Sequence, residues 1–158
     1  MHSIIVPIVK DNKGILTDQN NYRPIALTCI SSKILELILM TKYGHFLNTG
    51  DAQFGFKTGH ATDLCIFTLK ETVQHYVSLG SPVYLCFMDL SKAFDKVNHW
   101  ILFQKLLARG CPLFMVRLLV HWYSHQECVV KWGNTLSAPF TVTNGVRQGS
   151  VLSPYLIS

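Results

Sequence analysis

Apolar residues recur along this chain in several rhythms, and each rhythm predicts a different element. Residues 4–9, IIVPIV, form a largely β-branched run closed by the polar turn DNKG, so the chain is expected to open within a strand. Beyond Ser31 and Ser32, either of which can cap a helix, Ile34, Leu35, Ile38 and Leu39 repeat at helical spacing in a segment reaching Leu47. Leu37 and Met40 spill onto the other face, so this helix is expected to be largely buried. A polar, glycine-containing stretch, 48–63, leads to a second helix with Thr62 as a cap and Ile66, Leu69, Val73 and Val77 as its apolar stripe. Gly80 and Pro82 end it.

The run VYLCFM, 83–88, is nearly continuous in apolar residues, as expected of a central strand covered on both faces, and it delivers Asp89 to a sheet edge. Two helices are predicted next, over 98–109 with Gly110 as the stop and over 112–124 with proline in the first turn. Gly133 and Asn134 then join two alternating segments, 127–132 and 138–144, as a hairpin. The last segment, NGVRQGSVLSPYLIS, is a glycine-punctuated loop running into apolar residues. The whole reads as an α+β chain without internal repeats or low-complexity stretches.

With 49% hydrophobic and 15% charged residues, the 158-residue chain is expected to form a packed domain rather than a disordered tail. Its net charge of +5 favours a polyanionic partner only modestly. The five cysteines are odd in number and scattered, with no C-x-x-C pair, and read as buried thiols of an intracellular protein. The N-terminal apolar run is too short for a signal peptide. Glu36 and Arg117 interrupt the other apolar runs, leaving none near the ~20 residues that a membrane span requires. The chain is therefore expected to be soluble.

Two segments carry chemistry. In YLCFMDLSKAFDKVNH, 84–99, a strand delivers Asp89 to a turn that also holds Phe94 and Asp95. A carboxylate so placed can hold a divalent metal against a triphosphate, or it can simply end the strand or cap the next helix. In NGVRQGSVLSP, 144–154, two glycines allow close approach of the backbone to a flat or charged ligand, and Arg147 adds a fixed charge; a plain turn would look the same.

Together these segments resemble the reverse transcriptases of non-LTR retrotransposons, particularly the jockey-like and related LINE group. NNYRPIALTCISSKILELILMTKYGHFL, 20–47, is similar to that family's first fingers motif, and QFGFKTGHATDLCI, 53–66, to its second. FMDLSKAFDKVNH resembles motif A and NGVRQGSVLSP motif B. The four occur in the family's order and at its spacing.

The resemblance implies a right-hand polymerase architecture: fingers over residues 1–82, and part of the palm over 83–158 with the 127–144 hairpin returning toward the fingers. It implies RNA-templated synthesis of DNA on a DNA primer from deoxynucleoside triphosphates, with two Mg²⁺ ions. By that resemblance Asp89 is the first catalytic carboxylate and a metal ligand, joined by the Leu90 carbonyl. Phe94 is the gate that excludes the ribonucleotide 2′-hydroxyl, a role compatible with core packing. Gln148 and Gly149 pack on the nascent base pair, while Arg147 and Lys57 are the cations nearest the phosphates. Lys57 stands where the family usually has Arg; the charge stays but the bidentate fork is lost, which weakens triphosphate binding.

The aromatic-x-Asp-Asp turn expected after motif B does not occur in the sequence, and Asp95 is expected to point along the following helix. The implied metal site is thus incomplete, and the chain is expected to be inactive by itself. Two further readings stay open: a non-catalytic nucleic-acid-binding remnant, and a functionless product of a degraded element. His121 and His125, four apart on a predicted helix, could hold zinc, but no third ligand is nominated by spacing.

Overall fold

The computed structural model describes residues 2–57 and 59–157, which form two compact units. One comprises residues 2–48 together with 92–157; the other is Thr49–Ser91. This partition differs from a division of the chain at residue 82 because the first and last thirds share a sheet.

Strand β1 (His2–Val9) pairs antiparallel with β2 (Tyr22–Leu27) in a register running from Ile4↔Leu27 to Val9↔Tyr22. On its other side β1 pairs in parallel with β3 (Glu127–Trp132), from His2↔Glu127 to Ile5↔Val130. Strand β3 in turn pairs antiparallel with two short segments, β4 (Thr135–Leu136) and β5 (Phe140–Thr141), giving a mixed sheet. The predicted hairpin forms with its second arm split in two, and Gly133 takes the positive φ (+58°) needed at the first position of a two-residue hairpin turn. Pro7 faces Pro24 in the β1–β2 register. Neither can donate a backbone hydrogen bond, so this must be a non-hydrogen-bonded pair.

Five α-helices occur among the described residues: α1 (Ile30–Tyr43), α2 (Thr62–Ser78), α3 (His99–Ala108), α4 (Leu113–Ser124) and α5 (Ser153–Ile157). The Asn98 side chain caps α3 by accepting hydrogen bonds from the Trp100 and Ile101 amides, and Gly110 follows that helix with φ +79°. Buried residues of α4, namely Met115, Val116, Leu119, Trp122 and Tyr123, lie on one helical face. Most of them join Leu102, Phe103 and Leu106 of α3 and Leu156 of α5 in the core.

Helix α1 departs from expectation. It starts with Cys29 at the N-cap, before either serine, and passes at Gly44 into a short 3-10 turn ending at Leu47. Its buried stripe is Ser32, Glu36 and Leu39, whereas Ile30, Ile34, Leu37 and Ile38 are exposed. The helix packs on one side, and a buried carboxylate with polar partners decides which side that is.

The Thr49–Ser91 unit also differs from expectation. Helix α2 forms as predicted but takes Ala61 rather than Thr62 as its N-cap, and none of its residues is buried. Residues 83–88 form no strand, and Tyr84, Phe87 and Met88 are exposed. A strand exists only through its ladder, and the strands of the sheet all belong to the other unit. Asp89 therefore sits at no strand end. Of the cysteines expected to be buried, Cys111 and Cys128 are, while Cys29, Cys65 and Cys86 are exposed.

Candidate functional site

The most constrained polar region of the larger unit is the loop 144–151, held on three sides. Its first side is the turn before α3. The Gly145 amide donates to the Val97 carbonyl at 2.8 Å, and the Val146 amide donates to the Phe94 carbonyl at 2.7 Å. His99 Nε2 lies 2.6 Å from the Gly145 carbonyl; a carbonyl only accepts, so the proton sits on Nε2. Contact is so close that a Cβ at Gly145 would come within 2.9 Å of both the Phe94 and the Asp95 carbonyl oxygens, at a φ of +85°.

The second side is strand β2. The Ala26 amide donates to the Gln148 carbonyl at 2.7 Å, and Ile25 and Gln148 form an isolated parallel bridge. Gly149, at φ +111°, passes so near β2 that a Cβ there would lie 2.9 Å from the Ala26 carbonyl oxygen.

The third side is α1. Ser150 Oγ donates to Glu36 Oε1 at 2.7 Å, and the Val151 amide donates to Glu36 Oε2 at 2.5 Å. Arg147 Nη2 lies 3.8 Å from the same carboxylate and Nη1 donates to Ser3 Oγ at 3.3 Å, while the guanidinium carbon sits 5.2 Å from the centre of the Trp122 ring. Glu36 and Arg147 are only 1% and 5% exposed, so the pair is internal. Beside it, burial pushes the Tyr123 phenol up to about 12, against the opposing influence of Arg147, so Tyr123 stays protonated.

These constraints leave the Gln148 side chain on the rim of a cleft of about 160 Å³ whose lining includes Pro24, Ala26, Asp95, Asn144 and Gly145. There Gln148 Nε2 donates to Asp95 Oδ1 at 3.4 Å. Asp95 thus faces the loop rather than running along α3. The space compares with the ~150 Å³ cavity that accommodates a benzene ring.

The candidate residues separate into two groups. Phe94, Arg147, Gln148 and Gly149 lie together on the interlocked turn and loop. Phe94 is half-buried and packs against the helical core. Arg147, expected among the cations beside the phosphates, is turned inward to Glu36. Lys57, Asp89 and Leu90 belong to the Thr49–Ser91 unit. Lys57 Nζ is 3.3 Å from Asp51 Oδ1, an exposed pairing of little strength, and Asp89 and Leu90 are exposed. His121 and His125 stack with ring centres 4.3 Å apart, with no third ligand grouped with them among the described residues.

Residues 9–158 match the family model described as reverse transcriptase (RNA-dependent DNA polymerase). The chain belongs to the reverse transcriptase family. It is 30% identical over 143 residues to the probable RNA-directed DNA polymerase from transposon X-element of Drosophila melanogaster, a match covering 86% of this chain and 15% of that protein. It is 29% identical over 158 residues to the RNA-directed DNA polymerase from mobile element jockey of Drosophila funebris, covering 98% of this chain and 17% of the relative. With the R2DM Pol polyprotein of Drosophila melanogaster it shares 29% identity over 142 residues, 87% of this chain and 13% of that one. The chain therefore spans about one-sixth of the length of such relatives.

Reverse transcriptases generally use divalent metal ions. Among the described residues no three His, Cys, Asp or Glu side chains converge, and the exposed Asp89 is a single carboxylate. Among the described residues that donor set does not build a two-ion site. No helix among the described residues is long and apolar enough to cross a membrane.

Proposed function

We propose that this chain supplies the template- and nucleotide-positioning part of a right-hand, RNA-directed DNA polymerase, with an RNA template, a DNA primer and deoxynucleoside triphosphates as its ligands. On this reading β1, β2 and α1 belong to the fingers, and the 144–154 loop to the palm. The observation that carries it is the interlock of the Gly145 and Val146 amides with the Val97 and Phe94 carbonyls, which fixes the gate residue and the Gln148 loop to one another. Phe94 then excludes a 2′-hydroxyl by occupying its space, and Gln148 with Gly149 presents a flat, glycine-relieved surface to the nascent base pair. Lys57, whose Nζ meets the exposed Asp51 carboxylate at 3.3 Å and the Gly50 carbonyl at 3.4 Å, exchanges these weak contacts for a triphosphate. Asp89 is the carboxylate that motif A offers to a Mg²⁺ site whose other donors are not among the described residues, so binding without synthesis is the expected behaviour of this chain.

The test is a filter-binding titration with an RNA template annealed to a DNA primer. Affinity is expected to fall by roughly tenfold or more between about 50 and 200 mM salt, because phosphate contacts dominate, and to vary little with template sequence. No primer extension is expected with Mg²⁺ and all four deoxynucleotides. Absence of binding, or tight binding indifferent to salt, contradicts the reading. Extension abolished by Asp89→Ala contradicts the incomplete donor set.

A further inference from the structure

The Glu36 carboxylate lies within the first motif, yet the resemblance assigns it no role. It is buried on a helix remote in sequence, and both its oxygens are engaged by the loop: Oε1 by Ser150 Oγ at 2.7 Å and Oε2 by the Val151 amide at 2.5 Å. Arg147, on the opposite side of Gln148 and Gly149, closes on the same carboxylate at 3.8 Å. The two ends of the loop are thus gathered on one anion, and the residues between them are those left facing the cleft. An ion pair alone could be replaced by apolar side chains without loss. The loop's hydroxyl and amide donors could not, because each would lose a charged acceptor in a buried place.

From this geometry we infer that Glu36 is a positioning residue, acting through the 147–151 loop to set where Gln148 and Gly149 meet the template base. The inference rests on the polymerase reading and deepens it. Glu36 touches no ligand itself; it fixes the ends of the segment that does.

Two measurements on the 158-residue chain test it. The first is hydrogen exchange, resolved by mass spectrometry, over peptides spanning residues 144–152. The second is the fluorescence, at saturating protein, of an RNA template carrying 2-aminopurine opposite the nucleotide-addition position and annealed to a DNA primer. In the double variant Glu36→Met with Arg147→Met, the apolar pair is expected to keep the fold. Exchange over 144–152 should rise roughly tenfold, since a charge-assisted hydrogen bond is lost, while exchange in β1 stays native. The 2-aminopurine signal, read at saturating protein, should fall to that of Gln148→Ala. A merely stabilising ion pair would leave both signals native in this double variant. Should it fail to fold, Ser150→Ala, which removes one loop donor and leaves the ion pair, is read in the same way. Native exchange and native fluorescence in the folded variant overturn the positioning role while leaving the polymerase reading intact. Failure of the unaltered chain to bind primer–template overturns the polymerase reading, and the positioning role with it.

Discussion

Glu36→Ala is expected to destabilise the chain by about 3–5 kcal/mol, the cost typical of removing one member of a buried ion pair. Three consequences act together. Arg147 loses its buried carboxylate, Ser150 loses its acceptor, and the Val151 amide loses its own. At roughly 2–4 °C per kcal/mol for a chain of this size, the thermal midpoint should drop by on the order of 10 °C. Urea denaturation followed by tryptophan fluorescence measures this directly, since Trp122 sits against the guanidinium. Making Arg147 apolar as well should recover only the share due to the buried charge, because the Ser150 hydroxyl and the Val151 amide still lack their acceptor. A change below about 1 kcal/mol would mean that the pair is not buried in solution, since that is the range of exposed pairs.

Gly145→Ala carries the second largest expected effect, and the reason is geometric rather than electrostatic. The residue sits at φ +85°, which alone costs a residue with a side chain about 1–3 kcal/mol. Its new Cβ would also meet the Phe94 and Asp95 carbonyl oxygens at 2.9 Å, both of them backbone atoms of a turn that is itself held by the loop. Relieving that overlap means moving the turn and the loop apart, adding about 1–3 kcal/mol in the manner of an overpacked core. The total, about 2–6 kcal/mol, should appear both as lost stability in urea and as faster hydrogen exchange at the Val146 amide. Gly133→Ala is the control: its φ is also positive, at +58°, but nothing lies within 4 Å of the added carbon. It should cost only the backbone share, about 1–2 kcal/mol. Equal effects at the two positions would contradict the interlock.

Local pattern was sufficient wherever an element is stabilised by residues near it in sequence. Helices α3 and α4 follow from local signals: Asn98 caps α3, Gly110 ends the turn beyond it, and the apolar face of α4 is the face it buries. The hairpin at Gly133 and Asn134 is equally local. What pattern could not supply were the consequences of distant pairing. The parallel match of β1 with β3 joins residues more than 120 positions apart, and no short-range signal announces it. Strand β2 was concealed by Pro24, which demotes a run as a strand until its place opposite Pro7 is known. The apolar run at 83–88 misled because alternation and hydrophobicity describe a surface awaiting a partner and say nothing of whether one pairs with it. Motif matching assigned Asp89, Leu90, Phe94, Gln148, Gly149, Arg147 and Lys57 to one site; Phe94, Arg147, Gln148 and Gly149 lie on one turn and loop, whereas Asp89, Leu90 and Lys57 belong to the other unit. It placed Arg147 nearest the phosphates, and a lone arginine in a glycine-rich loop carries no mark of the carboxylate that it meets on α1. That mark lay in α1, where Glu36 interrupts an apolar helix one turn from Ser32 and Leu39. A single acid in that setting calls for a buried cation.

The most direct measurement of the central claim, that the interlocked turn and loop receive the template base, is photo-crosslinking from that base. An RNA template with a 4-thiouridine opposite the nucleotide-addition position, annealed to a DNA primer, is irradiated with the chain and the adducts are located by mass spectrometry. Adducts should fall on Gln148 and Gly149, and moving the photoactive base several positions along the duplex should remove them. Adducts confined to other surfaces, or the same adducts wherever the base is placed, would contradict the account.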